Sequence, residues 1–179
     1  GVMGVAKHFP GHGDTDKDSH KTLPFISHSR EHLNQVEFPP FSAMIDSGAW
    51  GVMTAHLEVP SIEPRQGLPA TFSSEVIQNI LRDSLGFQGL AITDAVNMEG
   101  AKTVGDPGEV DALALKAGND IVEFTEDLPA AVGAVKNMIT EGGMTWQDIE
   151  EKCKKALAFK HHLGLTHKPE IQLDGLMDR

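Results

Sequence analysis

Four apolar, β-branched runs, at residues 2–9, 51–59, 89–96 and 119–124, each give way to a segment of helical periodicity. Runs without polar alternation are the mark of strands buried on both faces. Strand followed by helix, four times over, means a parallel sheet, because parallel neighbours need a crossover long enough to hold a helix. The helical segments are 29–35 and 40–47 after the first run, 73–84 after the second, 111–117 after the third, and 128–140 and 148–162 after the fourth. In 73–84, Val76, Ile77, Ile80 and Leu81 form one stripe behind Ser73 as N-cap. Gly118 is placed as a C-terminal stop, and Thr145 with Asp148 makes an imperfect capping box.

Composition sets the outer limits. The chain has 179 residues, 40% hydrophobic and 23% charged, enough for one good core and unlike a disordered or membrane-spanning sequence. A net charge of -11 argues against nucleic acid as a partner, since phosphate binding needs lysine and arginine concentrated on one face. Cys153 is the single cysteine, so neither a disulfide framework nor a zinc-type ligand set is expected; it reads as a half-buried helix residue. Gly142-Gly143 and Gly105-Asp106-Pro107-Gly108 are turns within one domain, 1–165, and residues 166–179 lose periodicity and read as a tail or linker. The chain opens in mid-strand at Gly1, and a preceding segment is expected to carry any targeting signal; these residues themselves encode no localisation.

Polar residues fall at the ends of the runs. Lys7 and His8 lie near the end of the first, His56 of the second, Asp94 of the third and Glu123 of the fourth. In a parallel barrel those C-terminal ends share the face on which active sites are built.

The loop 11–23 supports three readings. Asp14, Asp16 and Asp18 have the alternation of a calcium loop, but Ser19 stands where its glycine belongs and Phe25 where its closing glutamate belongs. His8, His12, Asp18 and His20 are suitable metal-ligand types, without the helical spacing of an HExxH site. As an acid/base loop, Asp18-Ser19-His20 sets a carboxylate two residues before an imidazole, where it would fix the tautomer of His20 and favour its protonated form. Asp94 ends the apolar run 90–95, where burying a carboxylate is costly unless it is paired or used. It is either a helix cap or, with a separate acid/base group, the nucleophile of a retaining glycosidase. His56 either touches the same pocket or is a buried, hydrogen-bonded histidine.

The segment Lys7-His8-Phe9-Pro10-Gly11-His12-Gly13 through Asp18-Ser19-His20 resembles the signature of family 3 glycoside hydrolases, in their β-N-acetylglucosaminidase branch. Ile92-Thr93-Asp94-Ala95-Val96-Asn97-Met98-Glu99-Gly100-Ala101 resembles the same family's nucleophile motif, and 156–165 resembles its last barrel helix. The resemblance implies Asp94 as nucleophile, His20 as general acid and then base with Asp18 as its dyad partner, and Lys7 and His8 as ligands of the sugar hydroxyls. Ala95 stands where the motif often has a second acidic residue. No cofactor or metal is implied. A histidine base would not repel an anion as a carboxylate does, so phosphorolysis stands beside hydrolysis.

A complete (β/α)8 barrel takes about 250 residues and eight strands. Four βα units therefore read as its second half, inactive alone, with the remaining half of the barrel as partner and an N-acetylglucosamine-containing glycan or cell-wall fragment as ligand. With no tyrosine, and with Trp50 ahead of a strand and Trp146 at a helix start, stacking platforms are scarce. That favours a small pocket for a terminal sugar over an open cleft. The competing reading is a half-barrel binding module without turnover.

Overall fold

The structure is a computed structural model and describes residues 2–13, 15 and 22–166. Strands β1 (Val5–Phe9), β2 (Gly51–Thr54), β3 (Leu90–Ala95) and β4 (Ile121–Glu123) form one sheet in chain order, every pairing parallel. A doubly wound sheet reverses its strand order at a switch point, whereas unreversed order is the winding of a barrel. Four βα units of a barrel-type α/β fold are thus present. The β2–β3 ladder is the regular one, pairing Gly51, Val52, Met53 and Thr54 with Leu90, Ala91, Ile92 and Thr93.

The crossovers follow the expected pattern, with differences at their ends. After β1, α1 (Arg30–His32) runs through a π-wound turn, Leu33–Glu37, into α2 (Phe38–Asp46), so two expected helices are one continuous rod. Pro39 and Pro40 lack the N–H groups that would close α-helical turns onto Gln35 and Val36, and the Phe38 N–H reaches back to Leu33 instead. Phe38 stacks on Phe9 of β1 at 5.9 Å and Phe41 meets it edge-on at 5.1 Å, which seats the rod on the sheet.

After β2 come a 3-10 turn (Ala70–Phe72) and a π-wound helix (Glu75–Ser84) whose stripe Val76, Ile77, Ile80 and Leu81 is fully buried. After β3 comes α3 (Glu109–Ala117), and after β4 come α4 (Leu128–Thr140) and α5 (Trp146–His162). Gly108, at φ 91°, starts α3, and a Cβ there would lie 2.7 Å from the Ala130 backbone, so glycine is what lets α3 and α4 approach. Cys153 is exposed on α5, not half-buried.

The second apolar run leaves the sheet early. β2 stops at Thr54; beyond it the Ala55 N–H still meets the Phe9 carbonyl, and Glu58 donates to Pro24 and accepts from Ile26. Ala55, Leu57 and Val59 remain buried, which is why the run stays apolar.

Buried polar groups clamp the opposite, N-terminal end. Asn119 is fully buried; its amide donates to the carbonyls of Thr71 (2.9 Å) and Ala114 (2.8 Å) and accepts from the Thr54 hydroxyl (2.9 Å). Next to it Asp120 accepts from Arg82 (2.5 Å), the Ala91 N–H (2.9 Å) and Lys155 (3.1 Å). Arg82 also donates to the carbonyls of Phe87 and Gly89, tying the π-wound helix to the start of β3. Truncating Asn119 removes all three of these hydrogen bonds from the buried interior. Asn119→Ala is expected to cost about 2–4 kcal/mol in urea unfolding, and a loss below about 1 kcal/mol would contradict the clamp.

Candidate active site

Parallel strands bring Lys7, His8, Asp94 and Glu123 to one end of the sheet, with His56 two residues beyond β2 at that end. The two strands that carry candidate chemistry leave regular pairing where it sits. Register shifts between Ala6 and Phe9 in β1, across Lys7 and His8, and between Ile92 and Ala95 in β3, across Asp94. Such irregularities re-aim side chains that a regular pleat would turn to the sheet faces. The Lys7–His8 and Phe9–Pro10 peptide bonds are cis.

Asp94 and His8 come together. The Asp94 carboxylate is 18% exposed and its Oδ2 lies 3.6 Å from His8 Nε2, while its Oδ1 accepts the Ala95 N–H at 2.9 Å. One oxygen is thus fixed by the backbone and the other faces an imidazole across a gap that a closer approach would make a hydrogen bond. Lys7 is exposed beside them, and Glu123, also exposed, anchors through its N–H to the Thr93 hydroxyl. His12 sits edge-on to His8 at 5.8 Å, with its Nδ1 at 2.5 Å from the Thr15 hydroxyl. Lys7, His8, His12 and Glu37 share one groove along β1.

His56 is fully buried and hydrogen-bonded. Its Nε2 meets the Ala95 carbonyl at 3.1 Å and its ring stacks on Phe72 at 5.9 Å and 7°. Burial pushes its pKa below the ordinary histidine value, against the opposing pull of the Ala95 carbonyl and the Asp94 charge, so the ring is neutral near pH 7. Asp18 and His20 lie outside the described residues, as do Asp14 and Asp16 of the alternative metal sets.

Sequence reasoning missed the lock on the loop after β2. Glu63 is buried and takes a two-point grip from Arg65, Nε to Oε1 and Nη2 to Oε2, each at 2.7 Å; Ser73 donates to the same Oε2 at 2.6 Å. Leu68 and Phe72 of this loop pack with Val96 and Ala101, just past Asp94, so the lock shapes the site's rim. Only the charge pair Glu63-Pro64-Arg65 hinted at it, because Ser73 stands ten residues on.

Strand order, crossovers and this gathering of polar groups define a TIM-barrel-like α/β domain. The family model described as "Glycosyl hydrolase family 3 N terminal domain" matches residues 1–158, and the chain belongs to that family. It is 34% identical over 191 residues to the beta-hexosaminidase of Thioalkalivibrio sulfidiphilus (strain HL-EbGR7), covering 97% of this chain and 53% of that protein. It superposes on the family 3 beta-N-acetylglucosaminidase of Paenibacillus sp. str. FPU-7 with a TM-score of 0.90 at 36% identity, covering 97% of this chain and 33% of that one. It also superposes on beta-glucoside phosphorylase BglX, bound to 2FGlc, with a TM-score of 0.90 at 26% identity, covering 99% of this chain and 33% of that one. Against three curated beta-hexosaminidases that it matches, the chain spans 22%, 53% and 37% of their lengths.

Arg65 and Ser73 hold Glu63 well below the usual carboxylate range, at about 2, against the opposing effect of burial. A depressed carboxyl contributes stability that is fully present above its unfolded pKa, near 4.5, and is lost as pH falls toward 2. Full conversion of the shift would be on the order of 3 kcal/mol, and solvent screening at the exposed Arg65 reduces it to about 1–3 kcal/mol. The stability gap between wild type and Glu63→Gln is therefore expected to narrow by that amount from pH 4.5 to 2 in urea titrations. A gap constant across this range contradicts the lock.

Proposed function

We propose that residues 1–165 form the second half of the catalytic barrel of a retaining glycoside hydrolase that releases terminal β-linked N-acetylglucosamine. Asp94 attacks the anomeric carbon while His20, paired with Asp18, protonates the departing oxygen, leaving a glycosyl-aspartate. His20 then takes a proton from water, which attacks the same carbon and frees Asp94. Lys7 and His8 hold the sugar hydroxyls. His56, the third residue expected to bind substrate, is buried behind the Asp94 turn and acts from there.

The observation that carries this reading is the Asp94 carboxylate itself. It is partly exposed at a strand end, oriented through Oδ1 by the Ala95 N–H, with Oδ2 facing His8. A mere helix cap would accept N–H groups two or three residues on, whereas this carboxylate takes only the next residue's N–H among the hydrogen bonds of the described residues. The beta-hexosaminidase relatives support N-acetylhexosaminides as the substrate class. The rest of the barrel supplies the other pocket wall.

In the intact barrel, Asp94→Ala is expected to lower turnover of a chromogenic N-acetyl-β-glucosaminide on the order of 10⁴-fold. Turnover near the wild-type rate would remove Asp94 from the nucleophile role. The 179-residue chain alone is expected to be inactive on the same substrate, and activity there would overturn the half-barrel reading. Products formed in phosphate and in a non-nucleophilic buffer are expected to be the same free sugar; a sugar 1-phosphate in the first would make the enzyme a phosphorylase.

A further inference from the structure

We infer that His56 is a positioning residue for the nucleophile, extending the grip of β2 on β3 past the point where the backbone ladder ends. The inference rests on Asp94 being that nucleophile. The last β2–β3 pair is Thr54 with Thr93, one residue short of Asp94. On the other side, the β3–β4 register is irregular between Ile92 and Ala95, so that ladder does not hold Asp94 in regular pairing either. The nucleophile therefore sits where neither neighbouring strand grips it regularly.

His56 bridges this gap. Its Nε2–H donates to the Ala95 carbonyl at 3.1 Å, and the same oxygen accepts the Met98 N–H at 3.1 Å, so the turn 95–98 is closed from two sides. Ala95 is also the residue whose N–H is received by Asp94 Oδ1 at 2.9 Å. Holding the Ala95 carbonyl thus holds the donor that orients the carboxylate. The ring is itself held, stacked on Phe72 and wholly covered.

Stability alone does not explain a histidine here. Its Nδ1 is buried and has no hydrogen-bond partner among the described residues, a cost of about 1–3 kcal/mol that an apolar ring of similar size would avoid. What an apolar ring would lose is the one hydrogen bond to Ala95. The neutral state of the ring also fixes the tautomer, with the proton on Nε2 where the carbonyl receives it.

The test uses the intact enzyme, this chain with the rest of its barrel, and an aryl N-acetyl-β-glucosaminide. The readout is the first-order rate constant for forming the covalent glycosyl-enzyme, followed by rapid quench and intact mass. That constant is independent of how much protein is folded, so a merely structural role would leave it unchanged. His56→Phe is expected to lower it about 100-fold with KM little altered, the scale of effect of a misplacement near 1 Å. His56→Gln, which keeps an N–H at similar reach, is expected to recover most of the loss. An unchanged rate constant in His56→Phe overturns the inference while leaving Asp94 in place. If Asp94→Ala still forms the intermediate at the wild-type rate, the nucleophile reading falls and this inference with it. Should His56→Phe fail to fold, ¹⁵N resonances of the wild-type imidazole decide: a proton on Nε2 with Nδ1 bare is expected, and the opposite tautomer refutes the bond to Ala95.

Discussion

The regular β2–β3 ladder is the constraint on which the rest depends. Four consecutive pairs lock Gly51–Thr54 against residues 90–93, and Val52, Thr54, Ala91 and Thr93 are buried. Because the pairing is parallel, it forces every chain end that carries chemistry to the same side and every crossover to the faces. Regularity in the middle is what permits irregularity at the margins. β1 and β3 leave ideal register at His8 and Asp94, and in β3 the shift comes just past the last regular pair, Thr54 with Thr93.

The two ends of the sheet use buried polar groups differently. At the N-terminal end, Asn119 and Asp120 sit in closed networks in which the Asn119 amide and the Asp120 carboxylate each meet three partners, and the result ties β2, β3, the π-wound helix and α5 together. Such saturation is a stability device. At the C-terminal end, saturation is incomplete: His56 keeps one nitrogen unpartnered among the described residues, and Asp94 is held on one oxygen only by its neighbour's N–H. In a barrel, the end that bears the active site is the one where such deficits are tolerated.

Much of this was legible in the sequence, for an identifiable reason. A strand covered on both faces must be apolar at every position, so the four runs announced the four strands, and the stripe of residues 76–81 announced its helix. The same logic misplaced the end of β2. Ala55, Leu57 and Val59 are as buried as strand residues, but past Thr54 the backbone meets Phe9, Pro24, Ile26, Ala70 and Thr71 and no longer follows β3, and hydrophobicity reports burial, not hydrogen-bond partner. The segments 29–35 and 40–47 read as two helices, yet a π turn carries one rod across the paired prolines Pro39 and Pro40. For the site, residue type and strand-end position placed Lys7, His8 and Asp94 correctly at one end, and the His8–Asp94 approach follows from that. The state of His56 was not legible, because a buried histidine and a pocket histidine are written with the same letter. What separates them is Phe72 and Ala95, 16 and 39 positions away.

The geometry also explains why half a barrel carries so specific a signal. Asp94 has a hydrogen-bond donor on one oxygen, a polar neighbour at the other and a held turn behind it, and Ala95 of β3, His8 of β1 and His56 just past β2 supply these. Neighbouring elements within this one sheet therefore supply these contacts to Asp94, although β1 and β4 each have a free edge in the sheet formed by the described residues. Holding a sugar over that carboxylate is a different requirement. A six-membered ring in a small pocket must be contacted from opposite walls, and Lys7, His8 and Asp94 all stand on one. On the proposed reading, the division of labour is therefore between a half that sets the reacting carboxylate and a half that closes the pocket around the sugar.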